Sequence, residues 1–135
     1  MKFKLSEIIP NLSHVEFKNQ YECASTFMRV QDFYESPISN IRGKYLSLEN
    51  LMDLYAKQMG NFTYCTDWAG FNIPGAEFRQ YYRLHKDTLL NKESEMFHSI
   101  FERLDPSKNF YVIASYDKSV MYHEIAHGLY YLNNL

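Results

Sequence analysis

Three residues near the end of the printed sequence, His123, Glu124 and His127, have the types and spacing that metal-dependent hydrolysis requires. A helix turns about 100° per residue, so histidines four positions apart lie on one face, one turn apart. Two neutral imidazoles in this arrangement can bind one zinc ion at about 2.0–2.1 Å. Glu124 lies at the edge of the same face, where its carboxylate could accept a proton from a zinc-activated water. The pattern predicts a hydrolytic zinc site.

The residues around this pattern predict how its helix is held in place. Ile125 lies about 200° from His123 on a helix and therefore points to the opposite side. An apolar stripe shares that side, and its members are Met121, Ile125, Leu129 and Leu132. Tyr131 is eight residues from His123 and shares the metal face, so we expect its hydroxyl to help stabilise an oxyanion. The sequence thus predicts a helix with one buried face and one face open to a cleft.

The H-E-x-x-H arrangement resembles that of the zincin metallopeptidases, whose shared signature is this motif on a helix. The likeness covers about the last quarter of the chain. It implies a hydrolase that cleaves a peptide or protein substrate, with His123 and His127 as zinc ligands and Glu124 as the catalytic base. In zincins the strand before this helix often forms the upper edge of the cleft. The resemblance therefore implies that the segment from Phe110 to Tyr116 binds substrate by strand addition.

A zincin site needs a third zinc ligand, and this chain departs from both common patterns. Tyr130 and Asn133 stand where metzincins have a glycine and a third histidine, and no later helix follows to carry a gluzincin glutamate. We therefore expect the ligand to come from upstream, from a partner chain, or from a segment lost by truncation after Leu135. The upstream candidates are His85, His98, Asp67, Glu77 and Asp117.

Patterning along the rest of the chain predicts a single α+β domain over residues 1–135, mostly helical with a small sheet. Ser47 and Gly60 bracket a helix whose apolar positions recur every three or four residues. From Phe110 to Tyr116 the chain is apolar, aromatic and β-branched, which predicts a strand buried on both faces. Two more helices are predicted from about Ala76 to His85 and from about Asp87 to Leu104.

Two parts of the chain are harder to interpret from the sequence. The spacing of Phe17, Tyr21, Ala24 and Met28 predicts a helix that begins near Ser13, while the residues from Phe27 to Phe33 would also suit a short strand. The stretch "NFTYCTDWAGFNIPG" contains two glycines, a proline and four aromatic rings, and we predict a loop there. Its rings are expected either to pack as a satellite of the core or to form a binding surface.

Composition narrows the function classes. The net charge is −2 and the pI is about 6.2, with no basic run, so nothing points to nucleic acid or an anionic membrane. The sequence contains no stretch of about 20 apolar residues that would span a membrane. Cys23 and Cys65 are too few for a disulfide framework, which favours a reduced, cytoplasmic setting. The oligomeric state stays open.

The motif favours a zinc metalloprotease, and two other interpretations stay open beside it. The terminal helix could be an ordinary surface helix whose histidines are solvated. In that case the chain would be a non-enzymatic interaction domain, such as a bacterial or viral accessory protein, that uses the aromatic rings around Trp68. Alternatively, the chain could be a zincin-like fragment that is catalytically inactive because it lacks a third ligand.

Overall fold

The computed structural model describes residues 3–34, 47–60, 64, 70–104, 108–116, 124–127, 129, 130 and 132. Within these residues lie the strands β1 (Phe3–Ile9), β2 (Leu12–Phe17), β3 (Gly70–Pro74) and β4 (Tyr111–Ser115) and the helices α1 (Gln20–Tyr34), α2 (Leu48–Met59), α3 (Gly75–His85) and α4 (Asn91–Phe101). A 3₁₀ turn, Lys86–Thr88, separates α3 from α4. The described residues from 124 to 132 are helical and are called the C-terminal helical segment. This combination confirms the predicted α+β class.

The strands form one mixed sheet with the order β1-β2-β4-β3. β1 and β2 form an antiparallel hairpin whose turn contains Asn11 at a φ of 72°, a left-handed conformation that asparagine tolerates. β2 pairs with β4 in parallel, and β3 pairs with β4 antiparallel. β4 is therefore an inner strand with neighbours on both sides, and all five of its residues are buried. Burial on both faces confirms the prediction made from its apolar sequence.

Alternation along the strands gives the sheet two different faces. The first, which we call the helical face, carries apolar side chains that join α1, α3 and α4 in the main core; they include Val15, Phe71, Ile73, Val112 and Ala114. The second, which we call the polar face, carries Asn72 and Tyr111. It also carries the residues that pair with these two on the neighbouring strands, such as Ile113 and Pro74. A small cluster of Leu12, Tyr111 and Ile113 on the polar face packs against Ile125 and Leu132 of the C-terminal helical segment.

The helical layer is held by aromatic packing and by one buried ion pair. Phe78 is fully buried, and its ring centroid lies 4.3 Å from that of Phe97, which joins α3 to α4. Arg29 of α1 donates from Nε and Nη2 to the two carboxylate oxygens of Glu93, at 3.0 and 2.6 Å. Because both side chains are almost fully buried, the pair links α1 to α4 in an environment of low dielectric constant.

The predicted ends of α2 are confirmed. The Ser47 side chain accepts a hydrogen bond from the Asn50 N–H at 3.2 Å, and Gly60 ends the helix at a φ of 88°. The Ser47 hydroxyl satisfies one of the N–H groups that lack an intrahelical partner, and glycine reaches the left-handed region without steric strain. The helix at 48–59 is therefore determined by residues close to it in the chain.

The predicted start of the first helix was wrong. Residues near Ser13 belong to β2, and α1 begins only at Gln20. Tyr21, placed in the buried stripe by its spacing, is 59% exposed. Phe17 fits the helical spacing by coincidence, since it points into the main core from β2. The ambiguous residues from Phe27 to Phe33 are helical.

The aromatic stretch also holds a strand where a loop was predicted. Gly70–Pro74 forms β3, and two aromatic rings of the stretch, Tyr64 and Phe71, are 1% exposed in the main core. These rings therefore pack as core and do not form a binding surface. Trp68 and Cys65 lie outside the described residues. No helix in the described part of the chain is long and apolar enough to cross a membrane.

Candidate functional site

Glu124 is the member of the H-E-x-x-H pattern whose contacts are best defined. Its side chain is directed at the polar face of the sheet, and the residue is only 6% exposed. Oε2 accepts a hydrogen bond of 2.6 Å from Nδ2 of Asn72 on β3. Asn72 is itself oriented by β4, because the Tyr111 hydroxyl donates a hydrogen bond to its Oδ1. Two side chains from two strands, one in direct contact and one behind it, therefore hold this carboxylate at a fixed position and orientation.

The two carboxylate oxygens of Glu124 have different surroundings. Oε2 is engaged by Asn72, whereas Oε1 accepts no hydrogen bond from the described residues. A carboxylate fixed through one oxygen can use the other oxygen to accept a proton, which is the geometry that a general base requires.

The strand pattern explains why Asn72 and Tyr111 meet. Successive strand residues point to opposite faces, so Phe71 and Ile73 enter the main core while Asn72 points to the polar face. Pairing of β3 with β4 sets Pro74 opposite Tyr111, which brings the tyrosine ring within reach of the asparagine two residues away. The site therefore depends on the register between two strands that lie far apart in the chain.

A second polar pair lies on the same face of the sheet, nearer the carboxyl end of β4. His14 of β2 and Ser115 of β4 are 3% and 1% exposed, and Nε2 of His14 lies 2.8 Å from the serine Oγ. Burial lowers the pKa of His14, and the negative charge of Glu16 acts in the opposite direction. The neutral imidazole is therefore favoured, and it can share a hydrogen bond with the Ser115 hydroxyl.

Cys23 lies in the first turn of α1 and is 1% exposed. Burial, and to a smaller extent the negative charge of Glu124, raise the pKa of this thiol far above its usual range. Since the thiolate is the nucleophilic form, Cys23 is unsuited to attack a substrate at neutral pH. It acts instead as a small apolar residue in the main core.

The structure describes two of the four predicted site residues. Glu124 is buried as stated above, and His127 is exposed in the same helical segment. His123 and Tyr131 lie outside the described residues, so the predicted pairing of the two imidazoles stays a prediction. The predicted role of Glu124 as a base at the edge of a cleft also stays a prediction.

The apolar anchor of the helix is confirmed in part. Ile125 and Leu132 pack on the polar face against Leu12, Tyr111 and Ile113, as a buried stripe requires. Leu129, predicted to join them, is 37% exposed, and Met121 lies outside the described residues. The helical segment is therefore held by two apolar contacts and by the hydrogen bond from Asn72 to Glu124.

The two upstream histidines that were candidate ligands, His85 and His98, do not approach Glu124. His85 ends α3 and packs against Phe33 and Tyr81, while His98 is exposed on α4 beside Tyr82. Because α3 and α4 pack on the helical face, the sheet separates both histidines from Glu124. Glu77 lies in the first turn of α3 in the same layer, whereas Asp67 and Asp117 lie outside the described residues. Burial, with a smaller contribution from the Arg29 charge, lowers the pKa of His85.

The prediction that the Phe110 to Tyr116 segment forms the edge of a cleft was wrong. β4 lies between β2 and β3, so its backbone groups pair on both sides and have none left for an added substrate strand. β3 is the last strand in the order of the described sheet. It carries Asn72, which contacts Glu124.

Neither Asn72 nor Tyr111 was predicted from the sequence to belong to the candidate site. Alternation of apolar and polar residues in Phe71-Asn72-Ile73 was a signal for a strand, but neighbouring glycine and proline residues hid it. Tyr111 fell within a near-continuous apolar run, where nothing marked its hydroxyl as a partner of a polar side chain.

Comparisons with known proteins gave no match. No family model matches the chain, no curated protein is significantly similar to it, and neither is any solved structure. Among the described residues, no group of three or more His, Cys, Asp or Glu side chains could hold a metal ion. Since His123 is not among them, this last observation does not test the predicted ligand pair.

Proposed function

We propose that this chain is a zinc-dependent hydrolase of peptide or related amide bonds in which Glu124 is the general base. One observation carries the proposal: Glu124 is buried and held by Asn72 through Oε2, while Oε1 accepts no hydrogen bond from the described residues. This arrangement leaves one oxygen available for proton transfer.

The residues at this site suit zinc in both charge and donor type. The buried carboxylate has a neutral hydrogen-bond donor but no cationic partner among the described residues, so a cation beside Oε1 would compensate its charge. His127 follows three positions later and is exposed, and its imidazole is a common zinc ligand. We expect His127 to hold the ion together with His123, while the source of the third ligand stays open.

Each described residue then has a part in hydrolysis. Zinc, when bound, lowers the pKa of water towards neutrality and polarises the scissile carbonyl. Glu124 accepts a proton at Oε1 from the attacking water and passes it to the leaving amine. Asn72 keeps the carboxylate from rotating, and Tyr111 fixes the orientation of the Asn72 amide. Both are positioning residues, because they act on the base and not on the substrate.

The sheet offers a position for an extended substrate beside this base. β3 is the last strand in the strand order, and Asn72 in its middle contacts Glu124. A peptide that pairs with the outer edge of β3 would run past the carboxylate. We therefore propose a peptide substrate bound along Gly70–Pro74, in place of the binding along β4 that the resemblance implied.

The test combines metal analysis with an assay of peptide cleavage. The purified full chain is compared with His123→Ala, His127→Ala, Glu124→Gln and, as a control on the other side of the sheet, His98→Ala. Zinc is measured by mass spectrometry, and hydrolysis is measured with a library of internally quenched fluorescent peptides. We expect about one zinc per chain in the parent protein and in His98→Ala, and loss of zinc in His123→Ala and His127→Ala.

Glu124→Gln separates catalysis from metal binding. A glutamine keeps the shape of the side chain but cannot act as a base, so we expect zinc to remain and hydrolysis to fall by about 10²–10⁴-fold. Equal, negligible zinc in the parent protein and in His127→Ala would refute the zinc site. Bound zinc without hydrolysis of any peptide would refute the hydrolase and favour the inactive zincin-like interpretation.

A further inference from the structure

A cavity of about 540 Å³ lies on the other side of the sheet from Glu124. It opens between α3 and α4, and its lining residues are Arg79, Tyr82, His98, Phe101, Glu102 and Leu104. Small-molecule sites in proteins have volumes of roughly 300–1,000 Å³, so this cavity, which we call the Arg79 cavity, has room for such a ligand. None of these residues takes part in the proposed hydrolysis.

The walls of the Arg79 cavity are aromatic and held in place. The rings of Tyr82 and Phe101 lie edge to face, with centroids 5.0 Å apart. The Tyr82 hydroxyl of α3 lies 2.9 Å from Nε2 of His98 of α4, so a hydrogen bond links these two side chains between the helices. Walls that keep their shape suit a flat ring, because little side-chain freedom is lost when the ring binds.

Arg79 places a positive charge in this aromatic setting. Its guanidinium carbon lies 5.1 Å from the centroid of the buried Phe110 ring, and the side chain is half-buried. No described residue forms an ion pair or a hydrogen bond with it. A contact through the face of the guanidinium leaves the N–H donors in its plane available, and these donors match a carboxylate.

Glu102 sets a limit on the charge of the ligand. Its exposed carboxylate also lines the cavity, so a ligand with two negative charges would be repelled at close range. A ligand with a single carboxylate gains the attraction of Arg79 and meets the repulsion of Glu102 with only one charge. The combination therefore selects a monoanion with an aromatic body.

We propose that the Arg79 cavity binds a small aromatic monocarboxylate, with the ring between Tyr82, Phe101 and Leu104 and the carboxylate on the Arg79 guanidinium. This proposal is independent of the zinc site, since the two sites lie on different faces of the sheet and share no residue. A ligand of about eleven non-hydrogen atoms would bind with a dissociation constant on the order of millimolar.

The test uses three probes that share a ring and differ in charge. 3-Phenylpropanoate, its neutral amide and 3-phenylpropylamine are each titrated into the ¹⁵N-labelled full chain and followed by two-dimensional NMR. We expect the carboxylate to bind about tenfold more tightly than the amide, since a charge-assisted pair is stronger than a neutral hydrogen bond. The shifted resonances should belong to α3 and α4. Equal affinity for the three probes, or shifts confined to other elements, would overturn the proposal.

Two variants assign the charge preference to its residues. In Arg79→Gln the carboxylate should lose its advantage over the amide, while binding of the amide stays unchanged. In Glu102→Gln, which removes a negative charge from the same cavity, the carboxylate should bind more tightly than in the parent protein. If Arg79→Gln keeps the full preference for the carboxylate, the assignment is refuted. Should Arg79→Gln fail to fold, the charge series on the parent protein still decides the proposal.

Discussion

The two faces of the sheet are built from the same strands and are stabilised in different ways. On the helical face, side chains such as Phe71, Ile73 and Val112 pack with the helices in one large apolar core. On the polar face, their immediate neighbours Asn72 and Tyr111 hold a buried carboxylate by hydrogen bonds. Apolar burial is non-directional and tolerates small shifts, whereas a buried hydrogen bond fails when its geometry is lost.

This difference separates the residues that stabilise the fold from those that can do chemistry. We expect the large apolar core to contribute most of the free energy of unfolding. The smaller polar face can therefore hold polar and charged side chains whose burial is unfavourable. Substitutions on the helical face should therefore lower the free energy of unfolding. If the proposed function holds, substitutions on the polar face should affect hydrolysis more than stability. The predictions below test this division, from the largest expected effect to the smallest.

The sharpest test of the helical layer is the buried ion pair between Arg29 and Glu93. Arg29→Met removes the guanidinium and leaves Glu93 buried without its cation, so we expect the free energy of unfolding to fall by about 3–5 kcal/mol. Chemical denaturation followed by circular dichroism measures the change. Glu22→Gln is the control, because the Lys92–Glu22 pair at 3.5 Å is partly exposed and should contribute less than about 1 kcal/mol. Equal losses in the two variants would refute the distinction.

The junction between the sheet and α3 gives the second test. A Cβ at Gly75 would lie 2.5 Å from the Phe110 carbonyl oxygen, which also accepts the Gly75 N–H at 2.7 Å. Gly75→Ala must therefore push β4 and α3 apart, and we expect a loss of about 2–3 kcal/mol. Gly60→Ala is the comparison, because its Cβ would meet nothing within 4 Å and only the left-handed φ of 88° costs about 1 kcal/mol. A loss at Gly75 no larger than at Gly60 would contradict this contact.

The polar face is tested by a double-mutant cycle between Asn72 and Glu124. Asn72→Leu removes the hydrogen bond to the buried carboxylate and the acceptor of the Tyr111 hydroxyl, and we expect a loss of about 1–2 kcal/mol of stability. Combination with Glu124→Leu should remove part of this penalty, so the two changes should be non-additive by about 1 kcal/mol or more. If the proposed function holds, Asn72→Leu also lowers the rate of hydrolysis while zinc content is unchanged. Additive losses would show that the two side chains do not interact.

The pH dependence of stability gives the smallest effect, and it involves one residue on each side of the sheet. The pKa values of His14 and His85 are lowered in the folded chain, mainly by burial. The unfolded chain therefore binds protons more readily below the usual histidine pKa of about 6.5. The free energy of unfolding should be fully maintained above that pH and should fall as the pH falls towards the folded pKa values.

Variants of the two histidines test which residue causes this decrease in the free energy of unfolding at lower pH. His14→Asn and His85→Gln should each flatten the decrease in stability between pH 7 and pH 5, and the double variant should flatten it most. Denaturant titrations at several pH values supply the measurement, with Gln80→Ser on the exposed surface of α3 as the control. If the double variant keeps the slope of the parent protein, then neither imidazole is responsible for it.

Local sequence patterns predicted the elements whose determinants lie close together in the chain. Ser47 and Gly60 bracket α2 within one segment, and the apolar run around Ile113 predicted a strand buried on both faces. The prediction failed where helical and strand periods coincide by chance. Phe17 fitted a helical stripe, although pairing of β2 with β1 and β4 makes it a strand residue.

By itself, the sequence determined the α+β class, α2 and the buried strand β4, because capping groups and apolar periodicity act over a few residues. It also indicated that Glu124 belongs to a chemically unusual group of residues, through the spacing of the neighbouring histidines. Only the tertiary structure decided that β3 lies at the edge of the sheet and that Asn72 and Tyr111 hold the Glu124 carboxylate. The physical reason is that strand order and register depend on pairing between segments distant in the chain, and no local pattern carries that information.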